Sequence, residues 1–145
     1  MKKINYMKLT FPARSVNEGF SRAATAAFAA LADPTVEELA DVKTAVSEAV
    51  TNCIVHAYGE TDGLIYIDAA LYADGTLKIR VKDKGCGIPD VAKAREALYT
   101  TAGDERSGLG FTVMESFSDK LNVRSAVGRG TAVTITKFLR GKAAK

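Results

Sequence analysis

Three polar residues recur at four-residue intervals in one helical stretch of the sequence: Glu48, Asn52 and His56. Residues spaced in this way stack on one face of a helix. A carboxylate there can act as a general base, and an amide oxygen is a ligand that Mg²⁺ accepts. We assign His56 to structure, as a packed histidine at the helix end. A solvated helix face would give the same spacing, so these residues alone do not decide the question.

A second group of candidate residues lies where a predicted strand ends, in the sequence Asp83-Lys84-Gly85-Cys86-Gly87. An ionised aspartate accepts hydrogen bonds and can therefore bind the exocyclic amine of adenine. Glycines let the backbone turn with positive φ and remove a Cβ that would keep a flat ligand away. The same pattern is common in β-turns, which is the alternative interpretation.

Two further glycine-rich segments stand next to predicted element ends. Ser107 to Gly110 precedes a helix, and the unpaired N–H groups of a helix N-terminus bind phosphate. Gly128 to Thr131 precedes the last strand, where the Thr131 hydroxyl could contact a ligand. An ordinary helix entry and an ordinary hairpin are the alternatives.

Hydrophobic periodicity places these segments on a regular series of elements. The predicted order is strand 4–11, helix 14–32, helix 35–58, strands 64–72 and 77–83, a short helix from 88 to about 98, a helix from 108, and strands 120–125 and 131–139. Tight turns join successive strands, with Asp74-Gly75 as the hairpin signal. Because helices and strands are segregated, we predict an α+β fold. It is a two-layer sandwich with a mixed, mostly antiparallel sheet covered on one face by helices.

The two long predicted helices have identifiable starts and apolar faces. Ser15 and Glu18 have capping-box spacing at the first, and either Asp33-Pro34 or a box of Thr35 and Glu38 starts the second. The expected apolar face of the first helix is Val16, Phe20, Ala23, Ala24, Ala27, Phe28 and Leu31. The apolar positions of the second are Leu39, Val42, Val46, Ala49, Val50, Cys53 and Ile54.

Composition restricts the function classes. The 145 residues suffice for a real core, and we expect a single domain spanning 1–145. Hydrophobic residues make up 47% and charged residues 26%, values that are ordinary for a soluble globular protein. A net charge of +3 is too small to indicate nucleic-acid binding, and no apolar run could span a membrane. Cys53 and Cys86 match no metal or redox spacing, which fits a cytoplasmic location.

Taken together and in this order, the four segments resemble the GHKL (Bergerat-fold) ATP-binding family. The stretch from Glu48 to Asn52 is similar to its N-box, DKGCGIPD to its first glycine box, RSGLG to its second and GRGTAV to its third. The resemblance covers nearly all of the chain. It implies ATP bound between the helical layer and the sheet, under a flexible lid that would run here from about Tyr99 to Ser107.

A narrower resemblance is to the anti-sigma factor serine kinases. It rests on FPARSVNEGFSR at 11–22, SEAVTNCIVHAY at 47–58 and YTTAGDERSGLGF at 99–111. The family implies an ATP-dependent protein serine/threonine kinase that also inhibits a sporulation sigma factor of the sigma-F type. Its phosphorylation substrate would be a serine of an anti-anti-sigma factor. The family further implies a homodimer with no direct nucleic-acid or membrane partner.

The resemblance assigns roles residue by residue. Glu48 becomes the catalytic base that takes the proton of the attacking serine hydroxyl, and Asn52 becomes the Mg²⁺ ligand. Arg14 and Arg22, placed on one face of the first helix, become contacts to the protein partners. The ATP contacts carried over from the family are Asn52, Asp83, Gly85, Gly87, Thr100, Thr101, Arg106, Ser107, Gly108, Leu109, Gly110 and Thr131.

Three other functions are compatible with parts of this pattern. A sensor histidine kinase uses the same kind of ATP-binding domain, but it would need a histidine-bearing pair of dimerisation helices that these residues lack. A pure binding module would keep the glycine boxes without needing Glu48. A stress-response anti-sigma serine kinase of the same family would differ only in its partner.

Overall fold

A computed structural model of the chain describes residues 2–58, 63–88, 90–94 and 106–140, with the side chains of 93, 94 and 106–109 outside the description. The strands are β1 (Lys3–Pro12), β2 (Leu64–Tyr72), β3 (Thr76–Asp83), β4 (Lys120–Ala126) and β5 (Gly130–Phe138). The helices are α1 (Val16–Ala30), α2 (Val36–Asn52), α3 (Val91–Ala94) and α4 (Arg106–Ser116). A π-helical turn, Cys53–Ala57, continues α2.

The five strands form one sheet in the order β1-β2-β3-β5-β4. All four strand pairings are antiparallel. The sequence had predicted a mixed sheet that is mostly antiparallel. β1 is an edge strand, as expected. Helix α2 packs against both α1 and α4 and lies on β3 and β5, so the helices form a layer on one face of the sheet. The predicted two-layer α+β sandwich is therefore confirmed.

The core lies between the helical layer and one face of the sheet. Side chains alternate along a strand, so every second residue points toward the helices. The largest buried strand residues are Ile65, Ile67, Leu77, Ile79, Val81 and Ile135. Helix α2 contributes Val42, Ala45, Val46, Ala49 and Val50. The predicted apolar face of this helix is confirmed, with Leu39 and Ile54 packed at its margin.

Helix α2 starts as predicted but ends differently. Glu38 N donates to Thr35 Oγ1 at 3.1 Å and Thr35 N donates to Glu38 Oε1 at 2.9 Å, which is a complete capping box. At the other end the regular α-helix stops at Asn52, and the π-helical turn follows. His56 therefore lies in this wider turn and not in the regular α-helix that carries Glu48 and Asn52. Single π-turns of this kind are frequent at functional sites.

Helix α1 presents a different face to the core from the one predicted. Its buried residues are Ser21, Thr25, Ala26, Phe28 and Ala29. Val16, Phe20 and Leu31 were expected to pack, but they are 79%, 53% and 67% exposed. Ser21 and Thr25 tolerate burial because their hydroxyls donate to the backbone carbonyl oxygens one turn earlier, at 2.8 Å each. Apolar periodicity alone therefore gave the wrong rotation of this helix.

The capping box predicted for α1 is also wrong. Ser15 has helical backbone angles, and its side chain makes no capping hydrogen bond. Glu18 instead pairs with Arg22 at 3.3 Å and accepts a hydrogen bond from Ser47 on α2. No helix among the described residues is both long enough and apolar enough to cross a membrane.

Candidate active site

Asp83 is a buried carboxylate at the end of β3, with 3% of its surface exposed. Its Oδ1 accepts hydrogen bonds from Gly85 N at 2.9 Å and Thr131 N at 3.2 Å. One oxygen thus joins the first and third glycine-rich segments, although Asp83 and Thr131 are 48 positions apart. The second oxygen, Oδ2, accepts from neither of these backbone groups. It therefore retains acceptor capacity for an amine such as that of adenine.

The glycines around Asp83 are needed by the protein's own backbone. A Cβ on Gly85 would overlap the carbonyl group of Ala57 at the end of the π-helical turn. Gly130 has φ of +108°, and a Cβ there would overlap the carbonyl oxygen of Asp83. Gly87 also has positive φ, at +79°. Glycine therefore lets the first and third segments pack directly on each other and on the helix end.

Thr131 is held by a side chain that sequence reasoning missed. Its hydroxyl and that of Ser125 lie 2.8 Å apart in a hydrogen bond. Ser125 Oγ also accepts from Ile88 N at 2.7 Å and lies 3.1 Å from the Gly130 carbonyl oxygen. Ser125 thus connects β4 to the first and third glycine-rich segments. Nothing local marks it, since its contact with Ile88 spans 37 positions.

Tyr58 connects the helix end to the first glycine-rich segment through its hydroxyl group. Its hydroxyl accepts a hydrogen bond from Lys84 N at 2.6 Å and donates one to the Leu64 carbonyl oxygen, also at 2.6 Å. Burial raises the pKa of Tyr58, and the hydrogen bond from Lys84 offsets part of that effect. The end of the π-helical turn is therefore tied to the start of β2 and to the end of β3.

Cys53 is buried, as its place in the apolar pattern predicted. Burial raises the pKa of its thiol well above the usual range, and the charge of the nearby Asp83 raises the pKa further. Cys53 is thus close enough to Asp83 for the two groups to interact electrostatically, a proximity that the sequence pattern did not indicate.

Glu48 and Asn52 lie one turn apart on α2, and both are half-buried rather than on a fully solvated face. The Asn52 amide faces α4, because a Cβ on Gly110 would lie 3.1 Å from its Oδ1. Helix α4 begins at Arg106, two residues before the predicted start. The unpaired N–H groups of its first turn therefore belong to residues 106–109. The start of α4, whose backbone N–H groups are available to an anion, therefore lies next to the Asn52 amide.

Several other predicted ATP contacts lie wholly or partly outside the described residues. Thr100 and Thr101 lie outside the described residues, as does most of the expected lid from Tyr99 to Ser107. For Arg106, Ser107, Gly108 and Leu109 the structure gives the helical backbone only.

The two arginines assigned to protein partners do not lie on one helix, although the sequence had predicted that they would. Arg14 precedes α1, where its backbone N–H donates to the Pro12 carbonyl oxygen at 2.8 Å. Arg22 lies on α1 and forms an ion pair with Glu18. Both side chains are exposed.

Comparison with known proteins decides the family. Residues 11–137 match the model of the histidine kinase-like ATPase domain. The chain belongs to this ATPase family.

An anti-sigma F factor from Caldanaerobacter subterraneus subsp. tengcongensis is 53% identical to the chain over 140 residues, covering 96% of the chain and 97% of the relative. An anti-sigma F factor from Priestia megaterium is 47% identical over 137 residues, 93% of each chain. The predicted GHKL-type ATP-binding domain is therefore confirmed.

Two solved structures share the fold of this ATPase domain. The RsbU and RsbW domains of Rv1364c from Mycobacterium tuberculosis align with a TM-score of 0.70 at 22% identity, covering 94% of this chain and 33% of that one. The histidine kinase domain of the blue-light activated kinase EL346 from Erythrobacter litoralis aligns with a TM-score of 0.60 at 21% identity. That alignment covers 88% of this chain and 64% of the other. At these identities the likeness concerns the fold.

Proposed function

We propose that this chain is an anti-sigma factor and an ATP-dependent protein serine kinase of a single domain. It holds a sigma factor of the sigma-F type inactive and phosphorylates a serine of an anti-anti-sigma factor in the cytoplasm. The observation that carries the proposal is the buried Asp83, which joins two glycine boxes in a chain 53% identical to an anti-sigma F factor.

The adenine end of the site is assigned to Asp83. Its Oδ1 is already engaged by Gly85 N and Thr131 N, so it is fixed in position. Oδ2 is the acceptor that we assign to the exocyclic amine. Burial of the carboxylate makes this hydrogen bond more selective, because an unsatisfied buried acceptor is costly.

The phosphate end is assigned to the first turn of α4 and to Asn52. Backbone N–H groups of residues 106–109 can donate to phosphate oxygens. Asn52 adds an amide oxygen suited to Mg²⁺ without adding negative charge. When bound, Mg-ATP supplies the phosphoryl group, with the metal offsetting negative charge on the phosphates. Glu48 lies one helical turn before Asn52, where we assign it to accept the serine proton.

The protein partners are assigned to the exposed arginines Arg14 and Arg22. Arginine at the centre of an interface is a common anchor. Arg22 is held by Glu18 through a surface ion pair that is worth little by itself, so a partner's carboxylate can replace Glu18 at small cost.

We assign the homodimer to the exposed apolar side chains on α1 and at its C-cap, here named the α1 stripe. The α1 stripe consists of Val16, Phe20, Ala23, Ala27 and Leu31. An exposed apolar patch marks an interaction surface. An apolar surface is also complementary to a second copy of itself, as a two-fold interface requires.

The histidine kinase alternative is less well supported. The sequence has one histidine, His56, and it lies half-buried in the π-helical turn. Its backbone carbonyl oxygen also accepts from Cys86 Sγ at 3.4 Å. A stress-response anti-sigma kinase would use the same site, so only the partner distinguishes it.

A phosphotransfer assay tests the proposal. The purified chain is incubated with γ-labelled Mg-ATP and the anti-anti-sigma factor from the same organism, with its serine-to-alanine variant as control. We expect label on the unmodified partner only. Label on His56 of the chain itself, or no transfer while sigma factor is still bound, would contradict the kinase part of the proposal.

A further inference from the structure

The face of the sheet opposite the helices carries a groove of about 900 Å³ that runs along β5. Its floor is made of short side chains on β5, namely Ala132, Thr134 and Thr136. Its walls are made of long cationic side chains, Lys78 and Arg80 on β3 and Lys120 and Arg124 on β4. Lys78 and Lys120 both pair with Thr136 in the strand register, so they face each other across the floor.

The positive charge of these walls is not neutralised within the described part of the chain. The ion pairs found there involve Lys8, Arg22 and Lys137, none of which lines the groove. Among the described lining residues none is acidic. Four cations exceed the whole formal net charge of +3, so the rest of the chain is slightly acidic. The net charge of the whole chain therefore does not indicate this positive patch.

The two carboxylates next to the walls in strand register or sequence have contacts outside the groove. Asp68 pairs with Arg80 in the strand register, but its Oδ1 lies 3.9 Å from Lys8 Nζ on β1. Asp119 precedes Lys120, and its Oδ2 accepts a hydrogen bond from Phe138 N at 2.6 Å. The groove is thus an unpaired positive surface that attracts an anionic partner.

The groove's dimensions fit one extended chain. The walls stand on strands two positions apart, about 10 Å from each other. Lys78 and Arg80 are two residues apart on one strand, a spacing of about 7 Å. Carboxylates at alternate positions of an extended peptide have the same spacing. The threonine floor adds hydroxyl groups that can donate to backbone or carboxylate oxygens.

We propose that this groove binds an extended acidic polypeptide segment of a protein partner. A second copy of the chain is disfavoured, because two such faces repel each other. Binding of a single nucleic-acid strand normally relies on aromatic rings that stack on bases. The aromatic residue in the groove is Phe138, and Lys120 Nζ lies 5.7 Å from its ring centroid, so this ring already faces a cation.

The groove is separate from the nucleotide site. Asp83 is buried on the helix-facing side of β3, whereas Lys78 and Arg80 point outward from the same strand. Substitutions in the walls should therefore leave ATP binding unchanged. This separation also distinguishes failure of the groove proposal from failure of the proposed kinase function.

Fluorescence anisotropy with the full chain tests the proposal. The probe is a labelled oligoglutamate peptide of about twelve residues, long enough to run the length of β5. The comparison probes are oligoglutamine and oligothymidylate of similar length. We expect oligoglutamate to bind more tightly than either comparison probe. Its binding affinity should fall as the salt concentration rises from about 0.05 M to about 0.5 M.

Charge variants locate the binding surface. We expect Lys78→Glu with Arg80→Glu to weaken oligoglutamate binding by about tenfold. Lys43→Glu with Arg140→Glu, a matched pair of exposed sites elsewhere, should change it by less than about twofold. If the reversed pair unfolds, Lys120→Gln with Arg124→Gln provides the milder version. Equal loss in both pairs, or tighter binding of oligothymidylate than of oligoglutamate, would overturn the proposal.

Discussion

Ser47 Oγ donates a hydrogen bond of 2.9 Å to Glu18 Oε2, across 29 positions of sequence. The same carboxylate pairs with Arg22 at 3.3 Å. Ser47 directly precedes Glu48, so one side chain on α1 contacts both the exposed arginine and the turn of α2 that carries the proposed base. A partner that draws Arg22 away from Glu18 therefore acts on a residue that also holds α2.

Arg22→Ala should weaken binding of both the sigma factor and the anti-anti-sigma factor. The loss of an arginine anchor is typically worth about 2 kcal/mol, or about 30-fold in affinity. Surface plasmon resonance with ATP and with ADP measures both complexes. The variant should remain dimeric and bind ATP. Lys43→Ala, which removes an exposed cation from α2, is the control, and unchanged affinity of Arg22→Ala for both partners would remove Arg22 from the interface.

Asp83→Asn should remove most ATP binding while the chain stays folded. A buried carboxylate that accepts from an amine contributes about 1.5–3 kcal/mol, so the affinity should fall by about 10- to 150-fold. Isothermal titration calorimetry measures the affinity, and circular dichroism checks the fold. Asp68→Asn, an outward-facing carboxylate on β2, should bind ATP normally. Wild-type affinity in folded Asp83→Asn would exclude Asp83 as the adenine acceptor.

Much of the fold was predictable because its signals are local. Alternation along β2 and β3, the Asp74-Gly75 turn and the Thr35–Glu38 capping box depend on neighbours in sequence. Helix α1 was not predictable in the same way. Its alanines gave no strong preference for one face, and the buried hydroxyl of Thr25 is satisfied within the helix. Tertiary packing, rather than periodicity, decided the rotation.

The candidate site likewise combines residues that the sequence indicates with residues that only tertiary packing places there. Asp83, Asn52 and the glycine-rich segments stood out because the four segments occur together and in one order along the chain. The residues that hold them, such as Ser125, Tyr58 and Cys53, have ordinary types in ordinary places. Their contacts with Ile88, Lys84 and Asp83 depend on how distant strands and helices meet. One sequence could therefore indicate the candidate ligand contacts but not the side chains that position them.

Glu48→Gln should separate nucleotide binding from phosphotransfer. The amide keeps the size of the side chain but cannot accept the serine proton, and loss of a positioned base typically lowers the rate by about 10²–10⁴. Single-turnover transfer of labelled phosphate to the partner serine measures this step. Glu37→Gln, an exposed carboxylate in the first turn of α2, is the control. A near-normal rate in Glu48→Gln with normal Mg-ATP binding would rule out the assignment.

The thiol of Cys53 should make the protein less stable at alkaline pH. Burial, and then the proximity of Asp83, raise its pKa in the folded state, whereas a cysteine in the unfolded chain ionises near about pH 8.5. Above that pH ionisation favours the unfolded chain. The free energy of unfolding should then fall by up to about 1.4 kcal/mol per pH unit until the folded thiol ionises.

Urea unfolding at about pH 7.5 and about pH 9.5 measures this dependence. Cys53→Ala should lose stability overall, but its unfolding free energy should depend less on pH across that interval. Cys86→Ala removes the exposed thiol and serves as the control. An unchanged pH dependence in Cys53→Ala would show that the thiol does not contribute to it.

Phe20→Glu should convert the proposed homodimer to monomer. Phe20 is the largest side chain of the α1 stripe and is 53% exposed in the single chain, so burying it requires a second protein surface. A glutamate there would place two like charges close to the two-fold axis of a symmetric interface, where they have no partner. Sedimentation velocity should show a wild-type species of twice the 15.4 kDa chain mass. Phe20→Glu should sediment as a single chain.

Val36→Glu is the matched control for this change. Val36 is also apolar and is 80% exposed, but it lies at the start of α2 and outside the α1 stripe. A glutamate in the first turn of a helix is compatible with its dipole, so the fold should not suffer. We expect Val36→Glu to remain dimeric at concentrations where Phe20→Glu is monomeric. If both variants dissociate, or if Phe20→Glu stays dimeric, the interface lies elsewhere than on the α1 stripe.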